Sequence, residues 1–378
     1  MHKYQITEIS ENFAHAGSKA TADVAAIADT MGFTRLNVKM DTTKPGKLAK
    51  LARQRGFARD YKHIARTVED DSIVLLQHPF HYPQLTREKT LLSLKNRGCR
   101  FISLVHDVEE LRKFRDSDYY RHEFEFMLAN ADVIIVHNEV MREFFVEKGY
   151  PEDQLVTLEI FDYLQPDLAA SQASYDLLNN GTKTFERAVT VAGNLDVTKC
   201  GYIGELRHLA EAGVGVHLYG PNYDEERMRC TEEVTYRVDP SLSPASVSYE
   251  GVFPADEIPR RLQSGFGLVW DGSSIAGCVG DSGQYLRYNN PHKLSLYLSS
   301  GLPVVIWKEA AEARFVEEHG VGLTVSSLME LPERLKYMEA LEYGKMCERV
   351  AAVGEKLRSG AYATEALQKA LQVLYDLY

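Results

Sequence analysis

A chain of 378 residues is too long for one ordinary hydrophobic core and suits two domains. Hydrophobic residues at 44% and charged residues at 26% describe a globular protein, and a net charge of −11 argues against a general nucleic-acid binder, which needs a cationic face to displace counterions. No apolar run approaches the ~20 residues of a membrane-spanning helix, and the start lacks the basic-then-apolar pattern of a secretory leader, so a cytoplasmic chain is expected.

The five cysteines are scattered without a C-x-x-C pair, which indicates neither a disulfide framework nor a zinc site. The sequon Asn180-Gly181-Thr182 is then accidental.

Along the first half, β-rich runs at 4–9, 36–40, 72–78, 100–106, 132–137 and 155–161 alternate with helix-like segments at 19–31, 47–67, 88–95, 118–128 and 139–147. Strand–helix alternation at this spacing predicts a mostly parallel sheet covered on both faces. Runs such as SIVLLQ and ADVIIVHN are nearly all apolar, as doubly buried strands require. One helix is unusual. From Lys44 to Arg66 it carries Lys44, Lys47, Lys50, Arg53, Arg55, Arg59, Lys62 and Arg66 against Asp60 alone. It reads either as a solvated face or as a peripheral contact with anionic lipid headgroups or a lipid-diphosphate acceptor.

The stretch from Gln165 to Thr184 is rich in small and polar residues and reads as a linker. After it, strands are predicted at 187–192, 214–219, 246–252, 266–270, 303–307 and 322–325. Helices are predicted at 202–212, 255–263, 291–299, 310–318 and 329–339. The tail from Leu341 onward is helical, with a break at Ser359-Gly360. The expected organisation is an α/β chain of two Rossmann-like, doubly wound domains facing each other across a cleft. These are an acceptor-binding domain over 1–165 and a nucleotide-sugar domain over 185–350, with a final helix over 351–378 packing back on the first domain.

The chemistry concentrates at predicted strand ends. In Tyr288-Asn289-Asn290-Pro291-His292-Lys293, Pro291 suits the first helical position and Asn290 the N-cap. Exposed amides and Lys293 would cradle a diphosphate there. Gly193-Asn194 ends a strand and Lys199 follows it. Tyr219 ends another, where an aromatic ring can stack on a base, and Asp271 leaves the strand FGLVW. In the first half, Ala16, Gly17 and Ser18 form a small-residue loop in front of a helix. His106 and Asp107 end a strand, where either could take a proton from an acceptor hydroxyl or Asp107 could simply cap the next helix.

Asp116-Ser117-Asp118 has the D-x-D form of a metal-binding motif but sits where a helix begins, so capping by Ser117 or Asp118 is the better reading. Glu69-Asp70-Asp71 precedes a strand and reads as a solvated turn. No metal site is expected. No Walker A loop, H-E-x-x-H or G-x-S-x-G occurs.

AGSKA, HDVEELR, AGNLDVTK, LYGPNYD, GLVWDGSSI and YNNPHKLSLYLSSGLPVVI, in that order, resemble bacterial β-1,6-galactofuranosyltransferase-like proteins and the related streptococcal adhesin glucosyltransferases, over roughly residues 1–350. The resemblance implies a GT-B fold, a UDP-sugar donor, no metal or cofactor, and self-association into dimers or tetramers. Position by position it implies UDP against Ala16, Gly17 and Ser18, the diphosphate at Lys199 and Lys293, and the uridine near Tyr219. Tyr288 through His292 line the same pocket. The serine that commonly follows the loop lysine is Cys200 here.

The expected activity is transfer of a hexose, galactofuranose or glucose, from a UDP-sugar to a saccharide on a lipid carrier or glycoprotein. A UDP-sugar epimerase and a non-catalytic partner subunit are the alternatives.

Overall fold

In the computed structural model each run of strand–helix alternation becomes its own all-parallel, six-stranded sheet. The structure describes residues 1–10, 16–40, 46–112, 117–165, 183–226 and 245–377. Lys44, Asp116, the sequon, Cys230 and most of the expected linker lie outside them, as do the side chains of Ala16, Ser18 and Lys199. Contacts divide the chain into two compact units, Met1–Leu158 with Tyr362–Tyr378, and Glu159–Ala361.

Unit 1 runs β1 (Lys3–Ser10), α1 (Ala16–Thr30), β2 (Thr34–Met40), α2 (Lys47–Thr67), β3 (Ile73–His78), α3 (Arg87–Asn96), β4 (Arg100–Val105), α4 (Asp118–Asn130), β5 (Val133–Val136), α5 (Glu139–Glu147) and β6 (Leu155–Thr157). The sheet order is β2-β1-β3-β4-β5-β6. β3 and β5 are buried along their whole length because helices cover both faces. Phe57, Tyr61 and Ile64 are the buried stripe of α2 and join Ile6, Val38, Val74 and Phe101 in one core.

Unit 2 runs β7 (Thr184–Ala192), α6 (Val197–Cys200), a 3-10 turn (Gly201–Glu205), α7 (Arg207–Glu211), β8 (Gly215–Tyr219), β9 (Val247–Gly251), α8 (Ile258–Arg261) and β10 (Ser264–Val269). It continues with α9 (Gly280–Tyr285), α10 (His292–Ser299), β11 (Val304–Trp307), α11 (Ala313–His319), β12 (Gly322–Val325), α12 (Leu331–Lys336) and α13 (Ala340–Ser359). Its order is β12-β11-β10-β7-β8-β9. The helical tail breaks at Gly360, whose φ of 77° closes α13 in the left-handed region that glycine adopts without penalty. The next helix, α14 (Ala361–Asp376), packs from Tyr362 onward with unit 1.

Several expectations change. Ala16, Gly17 and Ser18 open α1 rather than forming a loop before it. The predicted strand over 155–161 stops at Thr157. The helix read over 202–212 divides into a 3-10 turn and α7, and α9 forms where no helix was expected. α10 begins at His292, so Pro291 rather than Asn290 is the N-cap residue. Ser117 does cap α4, accepting from the Tyr120 amide at 3.5 Å.

One contact places α10 on its sheet. A Cβ built on Gly267 of β10 would lie 2.1 Å from Cγ of Tyr297, so the bare backbone there is what admits the ring. The Tyr297 hydroxyl then accepts the Ala192 amide at 2.8 Å, tying α10 to the carboxyl end of β7. Gly267→Ala is therefore predicted to destabilise unit 2 by about 3 kcal/mol through overpacking, read as a lower midpoint in urea unfolding.

Candidate functional site

In each sheet the strand order reverses once, between β1 and β3 and between β7 and β10. The connections leave in opposite directions at these points, opening a crevice at the strand carboxyl ends where α/β proteins take ligands.

At the unit 2 reversal, Gly193 and Asn194 follow the end of β7, and Gly220 follows Tyr219 at the end of β8. Their loops are laced together, Gly193 N–H to Tyr219 O at 3.0 Å and Leu195 N–H to Pro221 O at 3.0 Å. Gly220, at φ 139°, is required because a Cβ would meet the Gly193 carbonyl oxygen at 1.7 Å. Asn194 Oδ1 accepts from the Asp196 amide at 3.1 Å and from Asn222 Nδ2 at 2.8 Å. Cys200 donates its thiol to the Asn194 carbonyl at 3.3 Å. Tyr219 pairs in register with Ala192, and Thr190 with Gly267, so Tyr219 points to the sheet face that carries α10. There it lines a cavity of about 260 Å³ that runs along the sheet face past Thr190, His217 and Arg261 to Gln263 and Ser264 at the amino end of β10.

The first turn of α10 brings Lys293 over the ends of this sheet. Its ammonium donates to Asp271 Oδ1 at 2.8 Å and to the Trp270 carbonyl at 2.9 Å, with only 12% of the side chain exposed. Burial opposes the charged form, but the Asp271 carboxylate more than offsets this and holds the lysine above its ordinary range. Two of its three N–H bonds are committed, leaving one. Sequence reasoning singled out both residues and missed that they pair.

The residues before α10 are held by the segment that enters unit 2. Asn290 Nδ2 donates to the Glu159 carbonyl at 3.1 Å, and the His292 ring stacks on Tyr163 at 5.1 Å. Beside them, Asn289 Oδ1 and Ser295 Oγ are buried with no hydrogen-bond partner among the described residues, as is the Tyr202 hydroxyl. An orphan amide oxygen next to a helix N-terminus is an acceptor waiting for a donor. Tyr288 is half-buried on the same approach.

Unit 1 carries a different constellation. Glu8, near the end of β1, accepts from the His81 backbone amide at 3.2 Å and lies 3.1 Å from its Nδ1. Gln84 donates to the other Glu8 oxygen and accepts from the Tyr61 hydroxyl at 2.6 Å. The Glu8 hydrogen bond raises the His81 pKa, burial partly opposes it, and the charges of Glu8, Asp107 and Glu109 add to the rise. With Nδ1–H committed to Glu8, Nε2 of a neutral His81 is the basic nitrogen. Its neighbour His78 is the opposite case, pushed down to about 3 by burial and by Arg87.

The expected pair is tied up differently. His106 Nε2 contacts Gln77 Oε1 at 2.7 Å, and Asp107 accepts from Arg112 at 2.9 Å. Asp107 does not cap the following turn, whose cap position is Val108. His81 went unnoticed although it stands three residues past a fully buried strand, a position that could have marked it.

Ala16, Gly17, Ser18, His106 and Asp107 belong to unit 1, and the other expected site residues to unit 2. Lys199 lies in α6, its side chain outside the description. Among the described residues, no three His, Cys, Asp or Glu side chains gather in a metal-holding group. No described helix is long and apolar enough to cross a membrane.

Residues 3–160 match the family described as Glucosyltransferase 3-like, N-terminal domain, and residues 191–370 match Glucosyltransferase 3-like, C-terminal domain. The chain is 32% identical over 299 residues to the β-1,6-galactofuranosyltransferase WbbI of Escherichia coli K12, covering 78% of this chain and 79% of that one. It is 24% identical over 349 residues to glucosyltransferase 3 of Streptococcus gordonii, covering 92% of each. Among solved structures, Anabaena HepE in complex with UDP and glucose is similar at a TM-score of 0.56 and 13% identity, over 98% of this chain and 100% of that one. Sucrose-phosphate synthase from Thermosynechococcus elongatus gives 0.61 at 10% identity over the full length of both. The structural likenesses establish the GT-B fold.

Removing one partner of a buried ion pair strands the other charge. Lys293→Met is predicted to destabilise unit 2 by about 3–5 kcal/mol, while Lys293→Met with Asp271→Leu restores most of that loss. Chemical unfolding of the two variants checks both.

Proposed function

We propose that this chain, which belongs to the glucosyltransferase 3-like family of GT-B glycosyltransferases, is a metal-independent, inverting hexosyltransferase with a UDP-linked donor. The observation that carries this reading is the Lys293 ammonium, buried with Asp271 at the N-terminus of α10 above the β7/β10 reversal. When the bond from the anomeric carbon to the diphosphate oxygen breaks, the electron pair leaves with UDP. The remaining Lys293 N–H and the first-turn amides of α10 meet that growing charge. Asp271 holds the ammonium in place and protonated. Tyr219 takes the base in its cavity, and Asn289 Oδ1 accepts from a donor N–H or hydroxyl.

The acceptor is a saccharide hydroxyl on a lipid carrier or glycoprotein. Its oxygen attacks the anomeric carbon, and its proton passes to Nε2 of His81, with Glu8 stabilising the imidazolium that results. Asp107, held by Arg112, acts on His81 through its charge. Galactofuranose is the preferred sugar because the galactofuranosyltransferase WbbI is the more identical of the two relatives compared, with glucose second. Self-association into dimers or tetramers belongs to the same proposal.

Mass-spectrometric screening of UDP-galactofuranose and UDP-glucose against short acceptors tests the reaction, with EDTA expected to change nothing. A new UDP-sugar formed without acceptor would instead indicate epimerisation. The folded double variant Lys293→Met/Asp271→Leu is predicted to lose at least about 10²-fold in turnover, and near-normal turnover would remove Lys293 from the reaction.

His81→Gln is predicted to lose about 10²–10⁴-fold, and Asp107→Asn about tenfold at most. A base must be unprotonated, and Glu8 raises the His81 pKa, so activity falls as pH drops through a value above the ordinary histidine range. Glu8→Gln moves that acid limb of kcat/KM to lower pH; an unmoved limb contradicts the assignment.

A further inference from the structure

We infer that the amino-terminal end of α2 and the loop after β3 form a docking surface for an anionic lipid bilayer. The buried stripe of α2 begins only at Phe57, and no residue from 47 to 56 is fully buried. Leu48 is 85% exposed and Leu51 is 51% exposed one turn later, on the same side of the helix. The loop after β3 adds Leu85 at 80% and Tyr82 at 43%.

These are one patch. Gln54 donates to the Pro83 carbonyl at 2.6 Å and accepts the Leu85 amide at 3.1 Å, and the Arg53 guanidinium lies 5.6 Å from the Tyr82 ring centre.

The same helix carries Lys47, Lys50, Arg53, Arg55, Arg59, Lys62 and Arg66 against Asp60 alone, in a chain of net charge −11. Lys47, Lys50 and Arg55 pair with no acidic side chain among the described residues. A merely solvated face accounts for the cations but not for leucines interleaved with them. Nucleic acid would likewise use the cations and leave the leucines in water. Apolar tips ringed by cations match a bilayer surface, where headgroup phosphates take the charges and the acyl boundary takes the leucines. His81 stands in the same loop, but none of the α2 side chains substituted below is assigned to transfer, so the test is separate from that of the reaction.

The full-length protein is sedimented with phosphatidylcholine vesicles that contain or lack phosphatidylglycerol. Retention is expected to be at least about tenfold greater on the anionic vesicles and to weaken in high salt. Lys47→Glu/Lys50→Glu/Arg55→Glu and, separately, Leu48→Ser/Leu51→Ser should each lose that retention while keeping Tm and transfer to a soluble acceptor. Equal retention on both vesicle types overturns the proposal, as does retention that survives both sets of substitutions. A Leu48→Ser/Leu51→Ser protein that becomes monomeric without losing vesicle binding also overturns it, because the patch would then be a contact between copies of this chain.

Discussion

A buried ammonium held between a carboxylate and a carbonyl is the constraint around which unit 2 is organised. At 12% exposure the Lys293 side chain would be a stranded charge without Asp271, itself 6% exposed, beside it. The pair joins the end of β10 to the first turn of α10, and Tyr297 with Gly267 fixes the rest of that helix against β7 and β10. A cation is thereby fixed at the carboxyl end of a parallel sheet, where such sheets take ligands.

Unit 1 solves a related problem in a softer way. At its own strand reversal the anchoring carboxylate is Glu8, and the nitrogen it steadies is an imidazole rather than an ammonium. Imidazole titrates near neutrality, so this end can exchange a proton, whereas the raised pKa of Lys293 keeps it charged. The chain belongs to a glycosyltransferase family.

Much of the architecture was legible because strands covered on both faces read as continuous apolar runs. IVLLQH and VIIV fall in β3 and β5 as expected. Boundaries set by distant packing were not legible. GDSGQY carries no apolar period, and it becomes α9 with Gly283 packed so closely on Cys278 that a Cβ would lie 2.5 Å from the Cys278 carbonyl carbon. Pro291 looked like a first helical residue, but it keeps an extended backbone, with ψ of 122°, and the helix starts one residue later.

Candidate residues could be singled out in the sequence by position, Asn194, Tyr219 and Asp271 at strand ends and Lys293 in the first turn of a helix. Their partnerships could not, since Glu8 lies 73 positions from His81 and Asp271 lies 22 from Lys293.

The claim that most depends on this geometry is that Lys293 meets the diphosphate. Calorimetric titration of the chain with UDP and with uridine tests it directly, using the Lys293→Met/Asp271→Leu protein as the comparison. The native chain is expected to prefer UDP to uridine by at least about tenfold, and the double variant to lose this preference while still binding uridine. A variant that keeps the full preference for the diphosphate would contradict it.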